Sequence, residues 1–186
     1  MADVTMLALD QIVRSGRALY VGISNYSPER AREAFVILRE LKTPTVLHQV
    51  RYNMFDRKCE KDGTFDVMKE FGVGGIVFSP MAQGLLTNRY LDGIPDDSRM
   101  TRKVFLKPEA LTPERLEIIK KLNELAQERN QSLAAMTTAW VLRQDVVTSA
   151  LVGASRISQI NDVLDGLNRN PTFTAEELAR IDAILK

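Results

Sequence analysis

Two periods of apolar residues alternate along this chain, and together they predict strand–helix units. Short apolar runs occur at Leu19-Tyr20-Val21-Gly22-Ile23, Thr45-Val46-Leu47-His48-Gln49-Val50, Gly75-Ile76-Val77-Phe78 and Ala150-Leu151-Val152. Each has strand length, which predicts buried strands. Between the runs, apolar residues recur at spacings of three and four. Met6, Leu9, Ile12 and Val13 predict a helix over Asp3 to Ser15, ended by Gly16. Ser27-Pro28-Glu29 supplies a cap and a first turn, and Ala31, Ala34, Phe35, Leu38 and Leu41 follow as one face. A weaker helix is expected over Gly63 to Phe71. Thr112-Pro113-Glu114 opens another, with a stripe of Leu116, Ile119, Leu122 and Leu125. Ser132 to Arg143 is more apolar and holds Trp140, most simply a core residue. A helix over Ser155 to Leu167 follows the fourth run. Thr174 to Glu177 has capping-box spacing and opens a last helix with Leu178, Ile181 and Leu185.

Strands that alternate with helices imply a parallel sheet with right-handed crossovers. The first three runs begin roughly 25 to 30 residues apart, the repeat of a βα unit. The gap before the fourth is longer and holds Tyr90 to Leu111, rich in Pro, Gly and charge, which reads as a lid or binding loop. A closed (β/α)₈ barrel takes eight strands and about 250 residues. Four runs in 186 residues therefore leave two readings: a piece of a barrel, or a smaller open α/β domain. Either way, one domain over residues 1–186 is expected.

Charge narrows the field. With 25 basic against 24 acidic side chains, there is no cationic excess for nucleic acid. The single cysteine, Cys59, excludes an internal disulfide and fits a cytoplasmic setting. The start of the chain lacks the basic–apolar–small pattern of a signal peptide. Phe71 to Asn88 is uncharged and long enough to raise a membrane span, but its glycines, Pro80 and Gln83 read as a strand and loop.

Candidate chemistry lies where the runs end. They lead into Ser24-Asn25-Tyr26, into Gln49, into Ser79 through Thr87, and into Gly153-Ala154-Ser155-Arg156. Amides and hydroxyls are thus expected at the carboxyl rim of a parallel sheet, where α/β proteins bind ligands. Alone, Ser24-Asn25 reads as a turn before the Ser27 cap; with Gln49 and the Gly84 loop it reads as part of a ligand site. His48, the only histidine, is expected to pack or to bond backbone rather than catalyse. Gly72-Val73-Gly74-Gly75 precedes a strand and reads as a helix-ending turn rather than a phosphate loop. Cys59 lacks a His or second Cys at ligand spacing, so no metal is expected. Met54 and Phe55 line a substrate mouth or pack. Tyr26 and Tyr52 follow strands, so either could face the rim.

Taken in order, Gly22-Ile23-Ser24-Asn25, His48-Gln49, Phe78-Ser79-Pro80-Met81-Ala82-Gln83-Gly84-Leu85-Leu86 and Gly153-Ala154-Ser155 resemble the aldo-keto reductases over nearly the whole chain. The similarity is nearest to bacterial glyceraldehyde-3-phosphate-reductase-like members and to potassium-channel β subunits. The resemblance implies an α/β, (β/α)₈ TIM-barrel fold, of which this is the second half only. It implies that Ser24, Asn25 and Gln49 contact the nicotinamide carboxamide, whose donors and acceptor suit these side chains. Phe78 falls where the family sets an aromatic ring on the nicotinamide face. Ser79, Pro80, Met81, Ala82, Gln83, Gly84 and Leu85 would wrap the pyrophosphate. Arg89 and Arg99 would clasp phosphates. Gly153, Ser155, Arg156 and Gln159 fall at the adenosine end, with Arg156 as a 2′-phosphate ligand that favours NADP over NAD. The family's Glu-Asn pair just after that Gln is replaced here by Asp162 and Val163.

The implied activity is NADPH-dependent reduction of an aldehyde or ketone by hydride transfer, without a metal. The family takes its catalytic Asp, Tyr, Lys and His from earlier barrel strands. None of those motifs occurs here, so no catalytic residue is assigned and the chain alone is expected to be inactive. The alternative reading is a non-catalytic, truncated nucleotide-binding or channel-β-subunit-like interaction module. The implied partners are NADPH and a small carbonyl substrate, with no nucleic acid and no membrane. The unpaired edges at Leu19–Ile23 and Ala150–Val152 imply either a missing N-terminal half or a homodimer of half-barrels.

Overall fold

A computed structural model describes residues 2–43, 45–96, 98–102 and 106–186. They form two compact units, one of residues 1–52, 56–78 and 145–150, the other of residues 53–55, 79–144 and 151–186.

The first unit contains α1 (Ala2–Arg14), β1 (Val21–Ser24), α2 (Pro28–Glu40), β2 (Thr45–Arg51), α3 (Lys58–Lys61), α4 (Thr64–Phe71), β3 (Gly74–Phe78) and β4 (Val147–Ala150). The sheet order is β1-β2-β3-β4, and every pairing is parallel. The local signals act as expected. Ser27 caps α2 by accepting the Arg30 N–H, and Ala31, Ala34, Phe35 and Leu38 are its buried face. Gly16, with φ 72°, lies just past α1. Gly22 lets β1 approach β2 closely, since a Cβ there would lie 2.8 Å from the Leu47 carbonyl oxygen. Asp10 of α1 bonds Thr43 and Arg14, and Arg14 donates to the Leu41 carbonyl at 2.8 Å. These contacts fasten α1 to the far end of α2.

Two strand boundaries differ from expectation. The fourth strand is Val147–Ala150, not Ala150 to Val152, with Gly75 opposite Val147 and Val77 opposite Ala150. It is an edge strand whose Thr148 and Ser149 are exposed. A one-sided edge strand carries polar residues, so a search for an apolar run slips past it. Leu151 and Val152 are exposed beyond it. The first strand likewise starts at Val21, leaving Leu19 and Tyr20 exposed. Of the run Gly72-Val73-Gly74-Gly75, Gly72 ends α4 in a left-handed conformation and Gly75 lies in β3, both as expected, while Gly74 joins the strand as well.

The second unit holds α5 (Arg99–Arg102), α6 (Pro113–Glu128), α7 (Leu133–Leu142), α8 (Ile157–Arg169) and α9 (Ala175–Ile184). Thr112, Ser132 and Thr174 cap α6, α7 and α9. Trp140 is buried in α7. Gly166 is where α8 meets α7, because a Cβ there would fall 2.3 Å from the Ala135 Cβ. Arg129, buried just past α6, pairs with Glu177 of α9 at 2.5 Å. The stretch from Tyr90 to Leu111 is partly ordered by α5 and by 3₁₀ turns at either end, and buries Tyr90, Met100 and Leu106. Residues 97 and 103–105 of that stretch lie outside the described residues. Phe71 to Asn88 is a helix end, β3 and a loop. Among the described residues, no helix is long and apolar enough to cross a membrane.

Candidate functional site

In the first unit, β1 and β2 present the expected polar groups, and β3 ends in the expected aromatic ring. Ser24 closes β1 directly opposite Gln49 of β2, and Arg51 lies opposite Phe78 at the end of β3. Asn25 adopts φ 56°, a left-handed conformation that Asn tolerates better than most residues. Its backbone N–H donates to the Gln49 carbonyl at 2.9 Å, and its Nδ2 donates to Ser24 Oγ at 3.2 Å. The register thus gathers one hydroxyl and two carboxamides on adjacent strand ends. Ser24 and Asn25 are exposed, while Gln49 and Phe78 are half-buried.

His48 sits under this group. Its side chain is fully buried, edge-on to Phe35 at 6.2 Å, and its Nε2 accepts the Tyr26 N–H at 3.3 Å. Burial lowers its pKa to about 4, so it is neutral at pH 7. A neutral ring that accepts at Nε2 carries its proton on Nδ1, which is buried without a partner. As expected, His48 bonds backbone; what it fixes is the loop after β1.

The tyrosines separate. Tyr26 is half-buried, with the Arg30 guanidinium 5.5 Å from its ring. Tyr52 does not face the rim: it is fully buried against Phe65, and its hydroxyl donates to the Glu60 carboxylate. Turning inward satisfies both its ring and its polar end. The Cys59 thiol bonds the Arg51 carbonyl at 3.6 Å and is pushed up to about 11, first by burial and then by Asp62 and Asp56. That is the behaviour of an inert thiol. Among the described residues, no three His, Cys, Asp or Glu side chains gather as metal ligands.

In the second unit, residues 79–84 form a strained loop. Ser79, Ala82, Gln83 and Gly84 have φ of 57°, 46°, 61° and 102°. Each left-handed residue other than glycine costs roughly 1–2 kcal/mol. Backbone bonds hold the shape: Ser79 accepts from Ala82 at 2.9 Å, and Met81 accepts from Gly84 at 2.8 Å and Leu86 at 3.1 Å. Thr87 closes it, its hydroxyl donating to the Gly84 carbonyl at 2.7 Å. These bonds use the N–H groups of Ala82, Gly84 and Leu86 within the loop. Pro80, Ala82 and Leu85 are buried, while Met81 is half-buried. The side-chain oxygen of Gln83 is buried without a hydrogen-bond partner, an acceptor left for a donor. Arg89 follows, half-buried in a 3₁₀ turn. Arg99 opens α5, but its side chain lies outside the described residues.

The start of α8, also in the second unit, is more committed than the sequence suggests. Gly153, Ser155 and Arg156 are exposed. The Gln159 Oε1 accepts from the Ser155 N–H at 2.9 Å, the Ser155 hydroxyl at 3.3 Å and the Arg156 N–H at 3.2 Å. Gln159 therefore shapes the turn that carries Ser155 and Arg156. Asp162 accepts from Ser132 Oγ at 2.5 Å, and Val163 is buried, so both of these positions serve packing against α7. Met54 is buried, and Phe55 packs under Arg115 at 5.2 Å.

Sequence reasoning passed over Asn53. It is fully buried, its Oδ1 accepts the Phe55 N–H and its Nδ2 donates to the Ser79 carbonyl, each at 3.0 Å. The signal was available: an Asn just after a strand readily bonds the backbone two residues on.

The pattern of the Aldo/keto reductase family matches residues 2–186. The chain is 50% identical over 184 residues to L-glyceraldehyde 3-phosphate reductase of Escherichia coli K12, covering 97% of this chain and 53% of that protein. The corresponding protein of Escherichia coli O157:H7 matches equally. The chain thus spans about half the length of the curated relatives it matches. Among solved structures, a glycerol dehydrogenase from Gluconobacter oxydans superposes with a TM-score of 0.76 at 28% identity, covering 99% of this chain and 54% of that one. A thermostable aldo-keto reductase crystallised with the inhibitor epalrestat gives a TM-score of 0.70 at 22% identity, over 99% of this chain and 55% of that one, and shares the fold. The four parallel strands and their helices match about half of these (β/α)₈ barrels.

Proposed function

The chain belongs to the aldo/keto reductase family, and from that premise we propose that it supplies the cofactor-holding elements of an NADPH-dependent aldehyde or ketone reductase. The observation that carries this reading is the arrangement at the ends of β1 and β2. Ser24, Asn25 and Gln49 offer one hydroxyl and two carboxamides in parallel register, with Asn25 fixed by the Gln49 carbonyl. A nicotinamide carboxamide has one acceptor and two donors, and these side chains complement both. The Gln83 oxygen, buried without a partner, suits a hydroxyl donor of a bound nucleotide, and the loop of residues 79–84 would lie along its phosphates. Phe78 would pack on the nicotinamide ring. Arg89, Arg99 and the exposed Arg156 would supply charge, Arg156 selecting the 2′-phosphate of NADP.

NADPH, when bound, supplies hydride to a carbonyl carbon. The role of these residues is to bind and orient it. The name of the 50%-identical relatives points to small phosphorylated aldehydes as the substrate class. A cytoplasmic setting, read from the single cysteine, belongs to the same proposal.

The test is a titration of NADPH by its fluorescence. Binding is expected, weakened up to about tenfold by Gln49→Ala, whose bond to a neutral carboxamide contributes about 0.5–1.5 kcal/mol, and about tenfold or more by Arg156→Ala, whose bond to a phosphate contributes about 1.5–3 kcal/mol. No change at millimolar protein would remove the cofactor-holding reading. A second assay follows NADPH consumption with glyceraldehyde 3-phosphate and methylglyoxal. None is expected from the 186-residue polypeptide alone, because the Tyr52 hydroxyl is turned inward and bound to Glu60. Robust turnover would refute that part and direct attention to Tyr26.

A further inference from the structure

We propose that Asn53 is the positioning residue of the loop 79–84, setting it for the pyrophosphate of a dinucleotide; this rests on the reading above that the loop holds the cofactor. Asn53 lies two residues beyond β2 and is fully buried. Its carboxamide has little freedom, because Oδ1 accepts the Phe55 N–H at 3.0 Å. That bond aims Nδ2 at the Ser79 carbonyl, to which it donates at 3.0 Å. Ser79 is the first residue past β3 and the first of the loop's left-handed residues. Its carbonyl also accepts the Ala82 N–H at 2.9 Å. Both lone pairs of one oxygen are thus used, one to close the turn and one to fix its direction. The peptide plane between Ser79 and Pro80 cannot rotate without breaking one of these bonds. Pro80 has no N–H, so its nitrogen offers no hydrogen bond to replace them. Every later loop residue inherits its direction from that plane. A short buried amide outside the loop therefore holds a conformation that Ser79, Ala82 and Gln83 would not keep by themselves.

The roles of the two Asn53 atoms separate cleanly. Asn53→Asp keeps the size and the acceptor for Phe55, and replaces the donor with an oxygen facing the Ser79 carbonyl. Asn53→Ala removes both bonds and serves if the Asp variant does not fold. Three quantities are measured in folded variants: amide exchange at Ala82, affinity for NADPH by fluorescence, and affinity for adenosine 2′,5′-bisphosphate by calorimetry. The last ligand has the 2′-phosphate and adenine but no pyrophosphate. The expected result is Ala82 exchange at least tenfold faster, NADPH affinity at least tenfold weaker, and bisphosphate affinity within twofold of wild type. A merely structural role would weaken both ligands together, and that outcome overturns the proposal. So does unchanged NADPH affinity in either Asn53 variant while Gln49→Ala weakens it. If the unaltered chain binds NADPH no better than Gln49→Ala does, the cofactor reading itself fails, and the inference goes with it.

Discussion

Replacing Arg129 by Met is expected to destabilise the second unit by about 3 kcal/mol. The Arg129 side chain is only 2% exposed, and its Nη1 pairs with Glu177 at 2.5 Å. Nη2 donates to the carbonyls of Thr172 at 2.8 Å and Asn170 at 3.2 Å, and Nε donates to Gln131 at 3.0 Å. The guanidinium also lies 3.9 Å from the Phe173 ring centroid. One planar fork therefore joins the end of α6, the segment after α8 and the first turn of α9. Breaking a buried ion pair from one side costs about 3–5 kcal/mol. The lower figure applies here, because Glu177 is 21% exposed and regains water, while Met keeps the apolar stem in place. Lys keeps the charge but not the fork, and should fall between Met and wild type. Urea denaturation followed by circular dichroism measures both. A second signature lies in pH. Burial raises the Glu177 carboxyl, but the Thr174 N–H and Arg129 outweigh it and leave its pKa below the ordinary value. The contribution of a depressed carboxyl is present above its unfolded pKa and is lost as pH falls through the folded one. Arg129→Met should flatten that part of the acid profile. A variant within 1 kcal/mol of wild type, or an unchanged acid limb, would refute the reasoning.

His48 makes a pH prediction of its own. Its folded pKa of about 4 lies below the ordinary 6.5, so its contribution is complete above pH 6.5 and declines as pH falls towards 4. The loss reaches about 3 kcal/mol at most, at about 1.4 kcal/mol per tenfold change in proton affinity. His48→Gln should remove this slope from a plot of stability against pH; a slope that persists would show that other groups produce it. Gly166→Ala weighs two opposing effects. Helix propensity favours Ala by about 1 kcal/mol, but a Cβ 2.3 Å from that of Ala135 forces α7 and α8 apart at about 1–3 kcal/mol. A net loss of about 1 kcal/mol is expected in thermal melts, and a stabilised variant would contradict the contact.

Much of this fold is legible in the sequence because its signals are local. Ser27, Thr112, Ser132 and Thr174 mark helix starts by chemistry within one turn, and each caps a helix. The parallel order follows from the rhythm of strands and helices. What escapes is set by distant neighbours. Thr148 and Ser149 become strand only because β3 lies beside them. Tyr52 looked like a rim residue until Glu60 and Phe65 met it inside. Gln159 looked available to a ligand, but its oxygen serves the turn before α8. At the candidate site, residue types were readable one strand at a time. The left-handed conformation of Ser79 and the buried amide that supports it were not, because no local pattern records a bond across 26 residues.

Among the described residues, the sheet has an unpaired outer strand on each side, β1 and β4, and both run the same way. If β4 of one copy joined β1 of the next in parallel, the joint would be head-to-tail, and its fate would follow from the turn made at each seam. A turn of half a circle would close two copies into a ring with no free seam left. Any turn that fails to close would add copies without limit and grow a fibre. Light scattering across a dilution series separates the two, since a closed ring stops at a fixed mass and a growing fibre does not.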